Sequence, residues 1–255
     1  MTGLAEGARC RTSMIIDYHA HVKRDRRTGK YLLPELLEDM EQNGVSQRLV
    51  SAMEGASISA QNDAVAEMVR RFPQKLVGCA VINPKEDGAA EEMERVSALK
   101  EFRAVELDSF EHGYLPESCP HVDEILALAR EREMPVNVYT GSGRRTAPHQ
   151  WGWYAKRHPK VSFVMLHMGG VDFGYSCVDL AEALPNVYLE TSDQIELQVL
   201  RKAWEHVPGE RILFGSKYPV LFTRCSAITF DMLDLTSAQR DQLFFQNAQR
   251  LLRLS

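Results

Sequence analysis

Eight times between Ile15 and the C-terminus, a short apolar or alternating run gives way to a stretch with helical periodicity. The strand-like runs are Ile15 to His19, Arg48 to Met53, Leu76 to Val81, Ala104 to Asp108, Val136 to Thr140, Val161 to His167, Val187 to Thr191 and Ile212 to Ser216. Amphipathic stretches such as Leu33 to Asn43, Ala60 to Phe72, Ala89 to Leu99 and Val122 to Glu133 lie between them. Strict alternation demands a parallel sheet, because parallel neighbours need a crossover and a helix packed outside the sheet supplies it. Breakers stand where helices must end, at Asn43-Gly44, Phe72-Pro73, Met134-Pro135, His158-Pro159, Leu184-Pro185 and Pro208-Gly209. Eight such units close a (β/α)8 TIM barrel, whose usual length of about 250 residues fits a single domain over residues 13–255 behind a loose tail at residues 1–12. A doubly wound sheet would need a glycine-rich turn after its first strand, and none follows His19.

Composition narrows the partners. Hydrophobic residues make up 44 % and charged residues 25 % of the chain, which suits a large buried core. The formal net charge is −5, and the basic residues are scattered, so no nucleic-acid footprint is expected. No apolar run is long enough for a membrane span and no leader-like core opens the chain. Five cysteines without Cys-x-x-Cys spacing point to free thiols in the cytoplasm. A homodimer is the default expectation for a chain of this kind.

Chemistry concentrates at the strand ends, where barrel enzymes carry their sites. In Asp17-Tyr18-His19-Ala20-His21 the two imidazoles are two residues apart on a strand and share a face. They can act as ligands or as acid/base groups. His167 ends the sixth run, and the following Gly169-Gly170 lets backbone approach a ligand.

Together, Ile16-Asp17-Tyr18-His19-Ala20-His21, Leu166-His167-Met168-Gly169-Gly170 and Leu213-Phe214-Gly215-Ser216-Lys217-Tyr218-Pro219 resemble the amidohydrolase-related family that includes aminocarboxymuconate-semialdehyde decarboxylase. The resemblance runs along nearly the whole chain, to Asn247-Ala248-Gln249-Arg250-Leu251-Leu252. It implies a barrel enzyme, hydrolase or decarboxylase, with a divalent metal, often zinc, that activates water. His19 and His21 match two of the family's ligands, and His167 matches the strand-six histidine. Two positions depart from the pattern. Tyr139 stands at the strand-five histidine, and Lys217 replaces the strand-eight aspartate. A neutral phenol is a poor zinc ligand, and an ammonium repels a divalent ion. No cofactor is therefore expected with assurance, and zinc is disfavoured; any metal would fall to His19 and His21.

The resulting expectation is hydrolysis or decarboxylation of a small carboxylated substrate at a metal-poor site. His167 is the acid/base, Lys217 stabilises an anion or forms a Schiff base, and Tyr139, His19 and His21 position the substrate. Glu106 and Asp108 share a strand face and are candidate partners for Lys217, while Glu54 follows the second strand. Arg144, Arg145, His149, Trp151 and Trp153 sit in the loop after strand five, where arginine beside aromatics suits a planar carboxylate. Two rival readings stand beside this one: a catalytically lapsed barrel that binds a ligand or partner, and a metal-dependent site built from His19, His21, His167 and a new carboxylate. The chain lacks a Gly-x-Ser-x-Gly elbow and a phosphate loop, which removes serine-hydrolase and nucleotide-binding chemistry.

Overall fold

The computed structural model describes residues 14–254, so the expected tail at residues 1–12 lies outside the described residues, as does Cys10. Eight strands form one sheet in sequence order, each parallel to its neighbours: β1 (Ile16–Lys23), β2 (Gln47–Met53), β3 (Leu76–Val81), β4 (Phe102–Leu107), β5 (Val136–Tyr139), β6 (Phe163–Leu166), β7 (Val187–Glu190) and β8 (Ile212–Leu213). The ring closes where β1 meets the residues just beyond β8. Tyr18 donates its N–H to the Phe214 carbonyl at 2.8 Å, and Lys217 donates to the His19 carbonyl at 2.8 Å. The fold is the (β/α)8 barrel expected from the alternation.

Helices α1 (Leu33–Asn43), α2 (Ile58–Arg71), α3 (Ala89–Ser97), α4 (Val122–Glu131), α5 (Pro148–Arg157), α6 (Gly170–Ala183), α7 (Leu197–His206) and α8 (Thr223–Thr229) surround the strands. Their starts and faces follow local chemistry. Pro34 opens α1, whose buried residues Leu33, Leu36 and Met40 recur at helical spacing. The Ser57 hydroxyl caps α2 by accepting from the Ala60 N–H at 3.1 Å. β3 is buried along its whole length, as a strand covered on both faces should be.

One large apolar cluster fills the layer between strands and helices, and a smaller one, including Ile16, Leu49, Val77, Ala104, Val164 and Leu213, fills the barrel. The barrel interior also holds polar groups. Asp17 and Arg48, both fully buried, form an ion pair at 2.8 Å, and Arg48 reaches Asp39 on α1 at 2.8 Å. Asp17 accepts from the Ser216 N–H at 2.8 Å and from the Ser216 hydroxyl at 2.6 Å. The first strand thus grips the chain just after β8. Four cysteines among the described residues, Cys79, Cys119, Cys177 and Cys225, are free thiols. No described helix is long and apolar enough to cross a membrane.

Candidate active site

The C-terminal ends of β1, β5 and β6 bring their polar side chains together. His19, 3 % exposed, has its ring centroid 4.7 Å from that of His21 and 5.0 Å from that of His167. Tyr139 meets His167 edge to face at 4.8 Å. A register irregularity between Asp17 and Ala20 re-aims β1 at this point. His167, Met168, Asp193 and Lys217 all have left-handed backbone, with φ of 62°, 47°, 61° and 58°. Each such non-glycine residue costs about 1–3 kcal/mol, and clusters of them gather at functional sites.

Two of the histidines sit at the head of similar hydrogen-bonded chains. Nδ1 of His21 lies 2.8 Å from the Ser51 hydroxyl, which donates to Glu106 at 2.9 Å. Nδ1 of His167 lies 2.8 Å from the Ser192 hydroxyl, which donates to Glu190 at 2.8 Å. With each serine proton given to a carboxylate, Nδ1 must donate to the serine, and Nε2 keeps its lone pair. Burial raises both acids, Glu106 to about 8 and Glu190 to about 7. Near neutrality either carboxyl can take a proton, and the chain can then reverse, leaving the imidazole proton on Nε2. Burial, reinforced by the Lys217 charge, lowers His167 well below the ordinary histidine value and His21 to about 4, so the rings are neutral. Glu190 also accepts from the His167 N–H at 3.0 Å and the Ser192 N–H at 2.6 Å. Only a glycine fits opposite it: a Cβ on Gly215 would lie 2.1 Å from Glu190 Oε1.

Lys217 faces this cluster from beyond β8. Its ammonium pairs with Asp193 at 2.8 Å and lies 5.7 Å from the centroid of the Tyr139 ring. This corrects the expected partners: Glu106 is engaged by Ser51, and Asp108 caps the turn that follows by accepting from the Phe110 and Glu111 N–H groups at 2.8 and 2.9 Å. Asp108 nonetheless stays high, at about 6, chiefly through burial. Burial first, then the charges of Asp108 and Asp193, push Tyr139 to about 12, so it is a neutral phenol.

Other expected residues lie elsewhere. Trp151 is fully buried in the outer apolar cluster, where it packs rather than faces a ligand. Glu54 pairs with exposed Arg26 at 2.6 Å. Arg144 and Arg145 are exposed on the loop after β5, whereas His149, also exposed, falls in the first turn of α5 and not in the expected loop. Reading the sequence missed Ser51, Ser192, Glu190 and Asp193. Glu190 ends β7 and Ser51 lies near the end of β2, so the strand-end rule pointed at both.

Among the described residues, the groups close enough to hold a metal ion are His19, His167 and Glu190, whose donor atoms lie within 4.8 Å of one another. His19 Nε2 is buried without a hydrogen-bond partner, as a ligand nitrogen would be. The donors that could hold a divalent ion differ from the expected pair: His21 stands outside the group, and Glu190 enters it. Against a tight site stand Lys217 and the three hydrogen bonds already made to Glu190.

Residues 16–254 match the family model described as amidohydrolase. A sequence comparison with curated proteins gave no match. Among solved structures, the chain is similar to 2,6-dihydroxybenzoate decarboxylase from Rhizobium, with a TM-score of 0.75 and 17 % identity over 95 % of this chain and 99 % of that one. It is similar to 5-carboxyvanillate decarboxylase from Sphingomonas paucimobilis, with a TM-score of 0.74 and 14 % identity over 96 % and 100 %. A dihydroxybenzoic acid decarboxylase from Polaromonas, solved with manganese and the inhibitor 2-nitroresorcinol, gives a TM-score of 0.76 and 17 % identity over 95 % and 98 %. At these identities the structural likeness speaks for the fold.

Proposed function

Since the chain belongs to the amidohydrolase family, we propose that it is a hydrolase or carboxy-lyase whose reacting centre is His167 with Lys217, acting on a small carboxylated aromatic substrate. The observation that carries this reading is the convergence of a neutral histidine, relayed through Ser192 to Glu190, with a fixed ammonium beside it. A substrate carboxylate or a developing oxyanion would take up the Lys217 charge, an attraction of about 4 kcal/mol at 4 Å and the effective dielectric of a protein site. Tyr139 and Phe110, stacked with centroids 5.5 Å apart, give the mouth an aromatic edge that suits an aromatic substrate, and the solved relatives are named for aromatic acids.

In decarboxylation the bond between ring carbon and carboxyl carbon breaks and its electron pair stays on the ring. His167 Nε2 then delivers the proton that replaces CO2, and the relay to Glu190 resupplies it. In hydrolysis the same nitrogen takes a proton from water as the oxygen attacks. His19 and His21 shape the wall opposite. The experiment is turnover of a panel of hydroxybenzoates and lactones, following CO2 release and ring opening. His167→Ala should lower kcat about 10²- to 10⁴-fold while the fold persists. Unchanged kcat/KM in that variant would remove His167 from the chemistry, and binding without turnover across the panel would favour a lapsed barrel.

A second reading is favoured by the unpartnered Nε2 of His19. Here His19, His167 and Glu190 would hold a divalent ion, which would supply a Lewis acid for a carboxylate or water oxygen. Elemental analysis of the purified chain and activity after prolonged chelation separate the two. One tightly held metal per chain, with activity lost on its removal, selects the second.

A further inference from the structure

The loops after β3, β4 and β5 line an open cavity of about 560 Å³ on the rim, bordered among others by Lys85, Tyr114, Cys119, Arg144 and Arg145. Its cations are unneutralised. Among the described residues neither arginine makes an ion pair, and Lys85 reaches only the His112 and Gly113 carbonyls, at 3.5 Å. Arg95 and Arg157 on the outer helices, by contrast, each have an acid at 2.8 and 3.4 Å. Tyr114 is 4 % exposed, and its hydroxyl has no hydrogen-bond partner. That hydroxyl is itself shut off from solvent, so the groups a ligand can reach in the cavity are its three cations.

A row of rings joins this cavity to the barrel mouth. The Arg145 guanidinium lies 5.8 Å from the Phe110 centroid, Phe110 stacks on Tyr139 with an interplanar angle of 15°, and Tyr139 meets His167 at 4.8 Å. We infer that the rim cavity is a second anion subsite, taking the remote carboxylate or phosphate of an elongated aromatic substrate that runs past the edges of the stacked Phe110 and Tyr139 rings and whose reacting carboxylate meets Lys217. This rests on the reading of the mouth as the reacting end. Two anions held at opposite ends of this column would select dianionic ligands over monoanionic ones, because each guanidinium can offer two parallel N–H bonds to an oxyanion.

The test is calorimetric binding of biphenyl-4,4′-dicarboxylate, biphenyl-4-carboxylate, inorganic phosphate and acetate. Each probe meets the unmodified protein, the double variant Arg144→Gln with Arg145→Gln, and Lys217→Met. The diacid should bind the unmodified protein at least tenfold more tightly than the monoacid, and the arginine double variant should erase that ratio while leaving the monoacid unaffected. Phosphate or acetate should bind weakly at the rim, the tighter of the two identifying the second anion, and should be lost in the double variant but kept in Lys217→Met. A diacid advantage that survives the double variant overturns the subsite, as does equal binding of diacid and monoacid to the unmodified protein. Monoacid binding that is indifferent to Lys217→Met instead overturns the reading of the mouth and leaves the rim result standing. If the double variant fails to fold, exposed Lys85→Gln serves, with a loss of diacid affinity of threefold or more expected and no loss counting against the subsite.

Discussion

Histidines set in a wall of buried acids make the site sensitive to single atoms. Removing the hydroxyl in Ser192→Ala cuts the side-chain relay between the His167 ring and Glu190, keeps the bond from the His167 N–H to Glu190, and should lower kcat about tenfold or more without raising KM in proportion. A KM change alone would mean that Ser192 only shapes the pocket. Glu106 makes a thermodynamic prediction. Its carboxyl sits at about 8 against an ordinary 4.5, so between those values the folded chain keeps a proton that the unfolded chain has lost. Its contribution to stability is full below pH 4.5 and declines as pH rises towards 8, by up to about 1.4 kcal/mol per pH unit. Glu106→Gln removes the decline, so the variant should gain on the parent between pH 5 and pH 8. Denaturant midpoints at those two pH values check this, and an equal offset at both would contradict it. For the metal, the paired change Tyr139→His with Lys217→Asp should create stoichiometric zinc binding, since it replaces a neutral phenol with an imidazole and a cation with an anion beside three neutral histidines. Zinc content by elemental analysis decides it.

At the scale of elements, the site depends on where strands stop. The sequence reading carries the last strand to Ser216, but β8 ends at Leu213. The next residues leave the sheet because Asp17 binds Ser216 and because Glu190 occupies the space beside Gly215. That departure turns Lys217 towards the histidines. Gly215→Ala should therefore displace Glu190, destabilise by about 1–3 kcal/mol as overpacking does, and lower the melting temperature by about 2–4 °C per kcal/mol. A thermal melt checks it, and an unchanged Tm would show that Glu190 moves aside freely. Helix positions were more legible. The Leu33 to Asn43 stretch is helical over the residues expected from its periodicity. The last helical run, from Ser237 to Leu251, changes pitch at Gln242–Gln246, where a π-helical segment buries Leu243 and Phe244.

For the whole molecule, closure of the ring is the decisive event, and Arg48 stands at the seam. It joins β2 to Asp17 on β1, Asp39 on α1 and the Thr223 hydroxyl at the start of α8. Arg48→Met should cost about 3–5 kcal/mol, because it leaves the Asp17 carboxylate buried without its cation. It should also impair turnover by loosening Ser216 and Lys217. A denaturation midpoint unchanged from the parent would mean that the pair contributes nothing net. The histidines add an opposite pH trend to that of the acids. His21 is held at about 4 against 6.5, so its contribution is present above pH 6.5 and is lost as pH falls through that window.

The sequence by itself determined the barrel, because alternation of strand and helix periodicity is a local property and only one closed parallel sheet satisfies eight such units. It also singled out His19, His21, His167, Tyr139 and Lys217, since the run of a strand is visible one element at a time, although His19 and His21 lie within β1 and Lys217 stands beyond β8. The pairings between strands were decided by tertiary structure alone. Nothing in the chain near Lys217 names Asp193, twenty-four positions away, and nothing near His21 names Ser51 and then Glu106. Nor did the loop composition tell Trp151, which faces the core, from Arg144 and Arg145, which face the rim. Closing the ring sets which strand ends face one another, and burial there, which no local pattern encodes, raises the carboxyls, lowers the imidazoles and leaves Lys217 as the charge that the three histidines share.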